Sequence, residues 1–286
     1  MTLEITLLSR LRFMTHRRRH GGAWGERRST RRGAGLEFTD YRDYTPGDDP
    51  RRVDWNLYAR LDRPYVRLYE EEEDLAVTVL LDGSNSMAWD TRWPVAQQLA
   101  LALGTLALLE GDTLHGAFLQ AEGGTAAWGA VRGRGRLAGW RTWIESLAPA
   151  GATALGPALR DFAARPCRPG LLLLLSDGYD PAGLSAGVAA LAGRGHEVVL
   201  LHLLTPDELD PPLRGDLRLV DTETNDRREV TVDGASLAAY HRRREEWMAE
   251  LRALAGRHGG RYVILRTDTP LKKMFLGNLR SGGIVR

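Results

Sequence analysis

Two apolar runs, Leu75–Leu81 and Leu171–Leu175, constrain the fold of this 286-residue chain more than any other feature. Both have the length of a strand and neither alternates regularly with polar residues, which is typical of strands buried on both faces of a parallel sheet. Polar residues follow each run directly, as Asp82-Gly83-Ser84-Asn85-Ser86 and as Ser176-Asp177-Gly178. Ligands of open α/β sheets bind outside the carboxyl ends of the strands, so we expect a site where these runs end.

The rest of the chain after residue 75 alternates helical and strand patterns. This alternation predicts an α/β fold with a doubly wound, mostly parallel sheet and helices on both faces. The turn signal Thr224-Asn225-Asp226 lies between two strand-like segments and predicts a β-hairpin insertion over about 216–233. The predicted helices are 93–110, 135–147, 155–164, 182–193, 236–257 and 270–280, and the remaining strands are 113–119, 125–131, 198–204 and 261–265.

The first 74 residues have a less regular pattern. Leucine spacing predicts a short helix over 3–13, and the arginine- and glycine-rich stretch 17–35 is typical of a loop. Asp49 followed by Pro50 indicates a helix start, which predicts a short helix over 51–60. Tyr65–Tyr69 is then predicted as a strand.

Charge and cysteine content narrow the class of protein. The formal net charge is +2, but residues 1–32 hold nine arginines against two glutamates, a local charge of +7. Such a basic arm suits nucleic acid, anionic lipid or an acidic partner, or it can fold back on its own acidic body. The single cysteine, Cys167, excludes an internal disulfide and a cysteine-based zinc cage. No run of roughly 18 apolar residues or secretory signal is present, so we expect a cytoplasmic protein without a transmembrane segment.

A third segment supplies another oxygen donor for the site at the strand ends. Thr153 lies in the glycine-flanked loop that precedes a predicted helix. If the strands of the two apolar runs are neighbours, three hydroxyls and two carboxylates converge at one edge of the sheet. Hard oxygen donors of this kind suit Mg²⁺, with water in the remaining positions. The predicted metal-site residues are Asp82, Ser84, Ser86, Thr153 and Asp177.

The same five residues resemble the metal-ion-dependent adhesion site of von Willebrand factor A-like domains. The resemblance implies that Ser84, Ser86 and Thr153 are direct ligands, whereas Asp82 and Asp177 act mainly through water. It also implies Mg²⁺, or another divalent cation such as Mn²⁺ or Ca²⁺, with an acidic residue of a protein partner completing the coordination. A plainer interpretation of Ser84 and Ser86 alone is that they cap a helix after the strand.

Five motifs lie before and at the first strand end: Gly35–Arg42, Pro46–Trp55, Tyr58–Arg60, Tyr69–Glu72 and Leu80–Asp82. They resemble the signature of the domain-of-unknown-function-58 family, and this narrower resemblance covers most of the chain. It implies a von Willebrand A-like core and an association with a MoxR-type AAA+ ATPase. The implied organisation is a basic arm over 1–34, a family-specific segment over 35–74 and a von Willebrand A-like domain over 75–286.

The family-specific segment is dense in charges that can pair locally. One interpretation is a structural clasp, and the other is a surface on which a partner docks. The candidate partner-binding residues are Arg42, Asp48, Asp49, Arg51, Arg52, Asp54 and Arg60.

Three classes of function are weighed. The leading hypothesis is a non-enzymatic, metal-dependent protein-binding module that serves a MoxR-type ATPase in chaperone-like assembly or maturation of clients. One alternative is a Mg²⁺-dependent hydrolase or phosphatase, but the sequence has neither a second acid nor a general base beside Asp82. The other alternative is nucleic-acid binding through the arginine arm. No P-loop or His-Glu-x-x-His motif occurs, and His115, His196 and His202 are interpreted as structural.

Overall fold

The chain forms two compact units in the computed structural model. One unit comprises Met1–Arg17 with Leu75–Arg286, and the other comprises Arg18–Asp74. The structure describes residues 5–15, 36–71, 74–120, 125–151, 155–220 and 227–286. The predicted loop over 17–35 lies outside these residues, and the three-part division into arm, segment and domain stays a prediction.

The strands and helices of the described residues are numbered in chain order. The strands are β1 (Leu36–Asp43), β2 (Tyr65–Glu71), β3 (Ala76–Asp82), β4 (Thr113–Leu119), β5 (Thr125–Val131), β6 (Leu171–Ser176), β7 (Glu197–Leu204), β8 (Gly215–Val220), β9 (Arg227–Val232) and β10 (Arg261–Arg266). The helices are α1 (Ile5–Leu8), α2 (Trp55–Leu61), α3 (Arg92–Glu110), α4 (Leu137–Ser146), α5 (Leu155–Ala164), α6 (Pro181–Gly193), α7 (Pro206–Leu209), α8 (Gly234–Arg257) and α9 (Leu271–Lys273), which continues as a π-helix over Met274–Leu279.

A six-stranded sheet in the order β10-β7-β6-β3-β4-β5 forms the centre of the larger unit. Every neighbouring pair is parallel except β4 with β5. Two hydrophobic clusters, which involve different helices, cover alternate residues of β3 and β6. This arrangement confirms the predicted α/β fold with a mostly parallel sheet.

The two apolar runs form adjacent central strands. All residues of β3 and of β6 are buried, which explains why neither run alternates with polar residues. Leu81 pairs with Leu175 in the register of the two strands. The polar residues that follow each run therefore lie side by side at the carboxyl edge of the sheet.

Most helices and strands of the larger unit match their predicted bounds within two residues. Residues 3–13 are an exception, because the described helix is only Ile5–Leu8. Beyond it, Phe13 pairs antiparallel with Val285, and the Arg12 guanidinium lies 3.1 Å from the Glu110 carboxylate. Residues 5–15 of the predicted arm thus belong to the larger unit. Pairing with the end of the chain takes the place of a second helical turn.

The smaller unit contains the antiparallel pair β1–β2 and two short helical segments. A single helix over 51–60 is wrong. Asp49 caps a 3₁₀ turn at Pro50–Arg52, and α2 begins separately after Asp54. Val53 interrupts the helix because it is buried and pairs with Val66.

Two further elements of the larger unit matter for the site. The predicted hairpin is present as β8 and β9, which pair antiparallel. Helix α7 was not predicted from the sequence. It follows β7 and has a capping box between Thr205 and Glu208. Within the described residues, no helix is long and apolar enough to cross a membrane.

Candidate functional site

The Asp82 carboxylate is buried at the end of the central strand. Its exposed fraction is 1%, and its two oxygens accept hydrogen bonds from the Ser84 backbone N–H at 3.0 Å and from the Ser176 hydroxyl at 2.7 Å. The Ser176 oxygen also accepts the Gly178 N–H at 3.0 Å. These bonds join the loops that follow β3 and β6. Asp82 is therefore held in a fixed orientation at the edge of the sheet.

Ser84 and Ser86 place their hydroxyl oxygens 2.9 Å apart. Ser84 occupies the N-cap position of the 3₁₀ turn Asn85–Ala88, yet its side chain makes no capping hydrogen bond. The helix-cap interpretation of Ser84 is therefore wrong. Both hydroxyls bond to each other instead, beside the buried carboxylate, where they are available as oxygen ligands.

Gly83 allows the loop after β3 to pass close to the neighbouring strand. Its N–H donates to the Leu119 carbonyl at 2.9 Å. A Cβ atom at this position would lie 2.5 Å from the Phe118 ring and 2.6 Å from that carbonyl oxygen. A side chain would thus displace the loop that carries Ser84.

Backbone bonds join this loop to the segment that leads toward Thr153. Ala150 N–H donates to the Gly83 carbonyl at 2.9 Å, and Asn85 N–H donates to the Gly151 carbonyl at 2.9 Å. The Asn85 side-chain oxygen accepts the Gly151 N–H in return at 3.0 Å. Thr153 itself lies outside the described residues. Its flanking residue Gly151 is within the same hydrogen-bonded assembly as Asp82 and Ser84.

Asp177 is the second buried carboxylate of the site. It accepts the Tyr179 N–H at 3.3 Å on one oxygen and pairs with the Arg92 guanidinium at 3.0 Å on the other. The same guanidinium nitrogen donates to the Ser86 carbonyl. Arg92 is thus inserted between the two polar loops, although nothing in the sequence pattern singled it out.

The second terminal nitrogen of Arg92 donates to the Glu208 carboxylate, which lies in helix α7. Glu208 also accepts the Tyr179 hydroxyl, and its other oxygen accepts from Thr205 N–H and hydroxyl at 2.7 and 2.8 Å. The Arg92 guanidinium lies 5.7 Å from the Tyr179 ring centre. The guanidinium is consequently fixed by bonds on both sides of the site.

The electrostatics of the described groups favour a cation. Burial, and then the neighbouring charge of Asp177, raises the pKa of Asp82 to about 6. Burial likewise raises the pKa of Asp177, although Arg92 opposes that rise. In their ionised forms, Asp82, Asp177 and Glu208 carry three negative charges against one positive charge on Arg92. Carboxylate and hydroxyl oxygens with an excess of two negative charges fit a hard divalent cation.

The described donors are the hydroxyl oxygens of Ser84 and Ser86 and the carboxylates of Asp82 and Asp177. No group of three or more histidine, cysteine or acidic side chains that could hold a metal ion occurs among the described residues. This donor set suits Mg²⁺ better than a thiophilic metal such as zinc. The residues that are present therefore fit the predicted cation.

His202 lies under the loop after β6 and contacts the backbone of Asp177. It is fully buried, with one ring nitrogen 2.7 Å from the Asp177 carbonyl and the other 2.6 Å from the Tyr262 hydroxyl. Its burial lowers its pKa to about 4, so the ring is neutral at physiological pH. His115 packs against Phe162, and its pKa is lowered by burial. These contacts agree with a structural role for both histidines.

An aromatic groove opens directly beside Ser86. It has a volume of about 570 Å³, and its lining side chains include Trp89, Tyr179 and Tyr240, which are 54%, 56% and 39% exposed. Tyr179 stacks on Trp247 with ring centres 5.4 Å apart, and the Tyr240 hydroxyl donates to the Glu208 carbonyl at 2.7 Å. The aromatic side chains of the groove are thus exposed to solvent, while stacking fixes Tyr179 and a hydrogen bond fixes Tyr240. The remaining lining residues are Arg92, Asp207, Glu208, Pro211, Pro212, Leu213 and Val220.

The candidate partner-binding residues of the smaller unit mostly serve local structure. Arg42 pairs with Asp48 in a two-bond geometry at 2.6 and 2.8 Å. Asp49 accepts the Arg51 N–H, and Asp54 caps α2 and accepts the Tyr41 hydroxyl. These contacts give the acidic residues partners within the smaller unit, and both a clasp against the sheet and a docking surface stay predictions. The Arg51 and Arg60 side chains are exposed. The structure describes the backbone of Arg52 but not its side chain.

Comparison with known proteins places the chain. The family model "Protein of unknown function DUF58" matches residues 40–250. The chain belongs to this family. An uncharacterised protein of Mycobacterium tuberculosis is 29% identical over 276 residues, which covers 93% of this chain and 83% of that protein. An uncharacterised protein of Mycobacterium avium is 33% identical over 107 residues, 35% of this chain and 59% of its own length.

Solved structures match this DUF58 protein only distantly. An aerotolerance-related membrane protein of Bacteroides fragilis has a TM-score of 0.44 at 18% identity, covering 67% of this chain and 91% of its own. BatB of Bacteroides thetaiotaomicron has a TM-score of 0.42 at 18% identity, with coverage of 67% and 90%. Manganese-loaded TRAP of Plasmodium vivax has a TM-score of 0.34 at 17% identity, with coverage of 46% and 57%. At these TM-scores the matches say nothing about function.

Proposed function

We propose that this DUF58 protein is a non-enzymatic module that binds a protein partner through a divalent metal ion. One observation carries the proposal: the Asp82 and Asp177 carboxylates are buried beside the paired hydroxyls of Ser84 and Ser86. Arg92 compensates only one of the negative charges around these groups, and the remaining charge is costly to bury without a further cation. Mg²⁺ is the preferred ion, with Mn²⁺ or Ca²⁺ as alternatives.

The roles of the residues follow from their contacts and from the von Willebrand A-like resemblance. Ser84, Ser86 and Thr153 would hold the ion directly, and Asp82 and Asp177 would act mainly through water. A bound ion would supply the Lewis acid to which an oxygen of the partner binds. An acidic side chain of the partner is the ligand expected there.

The aromatic groove supports a protein as the ligand rather than a small molecule. A single carboxylate contact is small in area, so affinity and specificity require further surface. Exposed tryptophan and tyrosine side chains are the residue types that contribute most at protein interfaces. Trp89 and Tyr179 lie in the groove that begins at Ser86, where a bound segment would continue past the metal.

A Mg²⁺-dependent hydrolase or phosphatase is the second candidate, and the contacts disfavour it. A hydrolase needs a base within reach of its nucleophile. The further carboxylate that bonds to Arg92 is Glu208, and the guanidinium lowers its pKa against the effect of burial and holds it in an ion pair. His202 is buried between Asp177 and Tyr262. Neither group is placed to accept a proton from a substrate.

The identity of the partner is proposed from the family resemblance alone. It points to a MoxR-type AAA+ ATPase and to chaperone-like assembly or maturation of client proteins in the cytoplasm. Nucleic-acid binding would depend on the arginine arm, which lies mostly outside the described residues. Deleting residues 1–32 should then abolish any salt-sensitive retention of DNA or RNA.

The test is co-purification of partners from the native host with and without Mg²⁺. We expect the wild-type chain to retain a partner in Mg²⁺ and to release it in EDTA. The double variant Asp82→Ala with Ser84→Ala should not retain it. The exposed Asp161→Asn variant is the matched control. Equal capture by the folded double variant and by wild type would overturn a metal-bridged interaction.

A further inference from the structure

We propose that Arg92 allows the site to accept a carboxylate, because its positive charge keeps the metal-loaded cluster near electrical neutrality. The same charge lowers the affinity of the site for the metal alone. The inference rests on the proposed function and assigns a specificity-determining role to a residue outside the five predicted ligands. It depends on three properties of Arg92: its burial, its fixed position and its charge.

Arg92 cannot leave the cluster without breaking several contacts. Its side chain is 1% exposed, and its terminal nitrogens bond to Asp177, to the Ser86 carbonyl and to Glu208. Asp177 is itself 1% exposed. Charges buried this deeply are poorly screened by salt and water. The guanidinium therefore acts on any ion at Ser84 and Ser86 as a permanent neighbouring charge.

The charges of the described groups determine what the loaded site can accept. Asp82, Asp177 and Glu208 with Arg92 sum to −2, so one divalent ion brings the cluster to zero. Without the guanidinium the same cluster would be −3, and the loaded site would remain at −1. A negative loaded site repels the carboxylate of a partner, whereas a neutral one with an open metal position accepts it.

The same charge weakens binding of the metal by itself. A guanidinium bonded to Asp177 competes with a metal ion for the negative potential of that carboxylate. A partner carboxylate restores the lost attraction, so metal and carboxylate should bind with positive coupling. Thermodynamic linkage requires the coupling to be reciprocal. Arg92 thus makes the metal site dependent on the partner.

Glu208 provides an internal comparison, because it bonds to the same guanidinium and contributes a charge of the opposite sign to the cluster. In Glu208→Gln the remaining amide oxygen can still accept from Arg92 and from the Tyr179 hydroxyl, while the negative charge and the bond from the Thr205 N–H are lost. That change should leave the loaded site at +1. Arg92 and Glu208 variants should therefore shift metal affinity in opposite directions, which a general loss of structure would not do.

The experiment measures binding of Mg²⁺ and Mn²⁺ to the full-length chain by calorimetry, with sodium acetate as the carboxylate probe and sodium chloride as its control. We expect Arg92→Gln to bind the metal alone about tenfold or more tightly than wild type, and Glu208→Gln to bind it more weakly. Arg92→Lys, which keeps the charge, should resemble wild type. Acetate should strengthen metal binding in wild type and less so in Arg92→Gln.

The outcomes separate this inference from the proposed function. If wild type binds metal and folded Arg92→Gln binds it equally or more weakly, the role of Arg92 is overturned while the metal site stands. If Arg92→Gln does not fold, Glu208→Gln and Arg92→Lys decide. Weaker metal binding by Glu208→Gln together with wild-type binding by Arg92→Lys supports the role, and equal weakening in both overturns it. If wild type binds neither metal, with or without acetate, both proposals fail.

Discussion

The Arg92 guanidinium contacts the Asp177 carboxylate at 3.0 Å, and both side chains are almost completely buried. The arginine comes from the first turn of α3, whereas the aspartate follows β6. The pair therefore joins a helix to the strand end at which the candidate site is built. Its loss would leave two carboxylates, Asp177 and Glu208, without their shared cation.

Replacing Arg92 with leucine should destabilise the metal-free protein strongly. Removal of one partner of a buried ion pair costs about 3–5 kcal/mol, because the remaining charge is buried without compensation. The measurement is denaturant unfolding in EDTA. Arg160→Leu, on the exposed face of α5, is the control and should change stability little. A loss below about 1 kcal/mol in Arg92→Leu would show that Asp177 is solvated or neutral.

Replacing Asp82 with asparagine should stabilise the metal-free protein while removing its response to metal. The folded pKa of Asp82, about 6, lies above its ordinary value, so the ionised form opposes folding above pH 6. Loss of that charge should raise the free energy of unfolding by about 1–3 kcal/mol at pH 7.5. Thermal unfolding with EDTA and with Mg²⁺ measures both effects. A Mg²⁺-induced rise in Tm that persists in Asp82→Asn would contradict the assignment of this carboxylate to the site.

Gly83→Ala should disturb the site through sterics alone. The added Cβ would meet the Phe118 ring and the Leu119 carbonyl at about 2.5 Å, and overpacking of this kind costs about 1–3 kcal/mol. Gly129→Ala in β5 is the matched control, because nothing lies within 4 Å of its Cβ position. Unfolding curves of the two variants give the difference. Equal stability of both would mean that the loop after β3 is free to shift.

His202 should make the protein less stable in acid. Its folded pKa of about 4 lies below the ordinary value near 6.5, so the unfolded chain binds a proton more readily over this range. Stability is fully present above about pH 6.5 and is lost as the pH falls toward 4, by up to about 3 kcal/mol. His202→Gln should lack this component. The measurement is the difference in unfolding free energy between wild type and His202→Gln, from pH 7.5 to pH 4.5 in EDTA. A difference that does not change with pH would mean that the histidine is already charged in the folded protein.

The groove and the smaller unit offer two exposed tryptophans that separate the two candidate docking surfaces. Trp89 lines the groove and is 54% exposed, and Trp55 in α2 is 61% exposed. We expect Trp89→Ala to weaken partner capture at least about tenfold with unchanged Mg²⁺ affinity, since buried aromatic anchors dominate interfaces. Trp55→Ala should retain capture. The reverse result would transfer the docking role to the family-specific segment.

Much of the fold was predictable because its signals are local. The apolar runs of β3 and β6 have no polar alternation, since both strands are covered on both faces. Glycine and proline mark the ends of most helices in the larger unit. The errors occur where long-range pairing overrides local preference, as at Val53, whose pairing with Val66 splits the expected helix.

The candidate site was predictable only in part. Asp82 ends β3 and Asp177 follows β6, and the apolar runs predict both strands, so the proximity of the two residues follows from the parallel sheet. Arg92 and Glu208 gave no comparable signal, because a long charged side chain at the start of a helix is ordinarily solvated. Only the packing of α3 and α7 at the same sheet edge reveals that these two residues bond to each other.

The reciprocal bonds between Asn85 and Gly151 have a kinetic consequence. They connect the loop that carries the serine ligands to the loop that leads to Thr153, and they do so within the protein itself. An ion would then meet two loops that are already joined at Asn85 and Gly151, and it would have little of the backbone there to organise. We expect loading to be rapid and reversible, with loss of water from Mg²⁺ as its slow step. Occupancy could then follow the arrival and departure of a partner within a single working cycle.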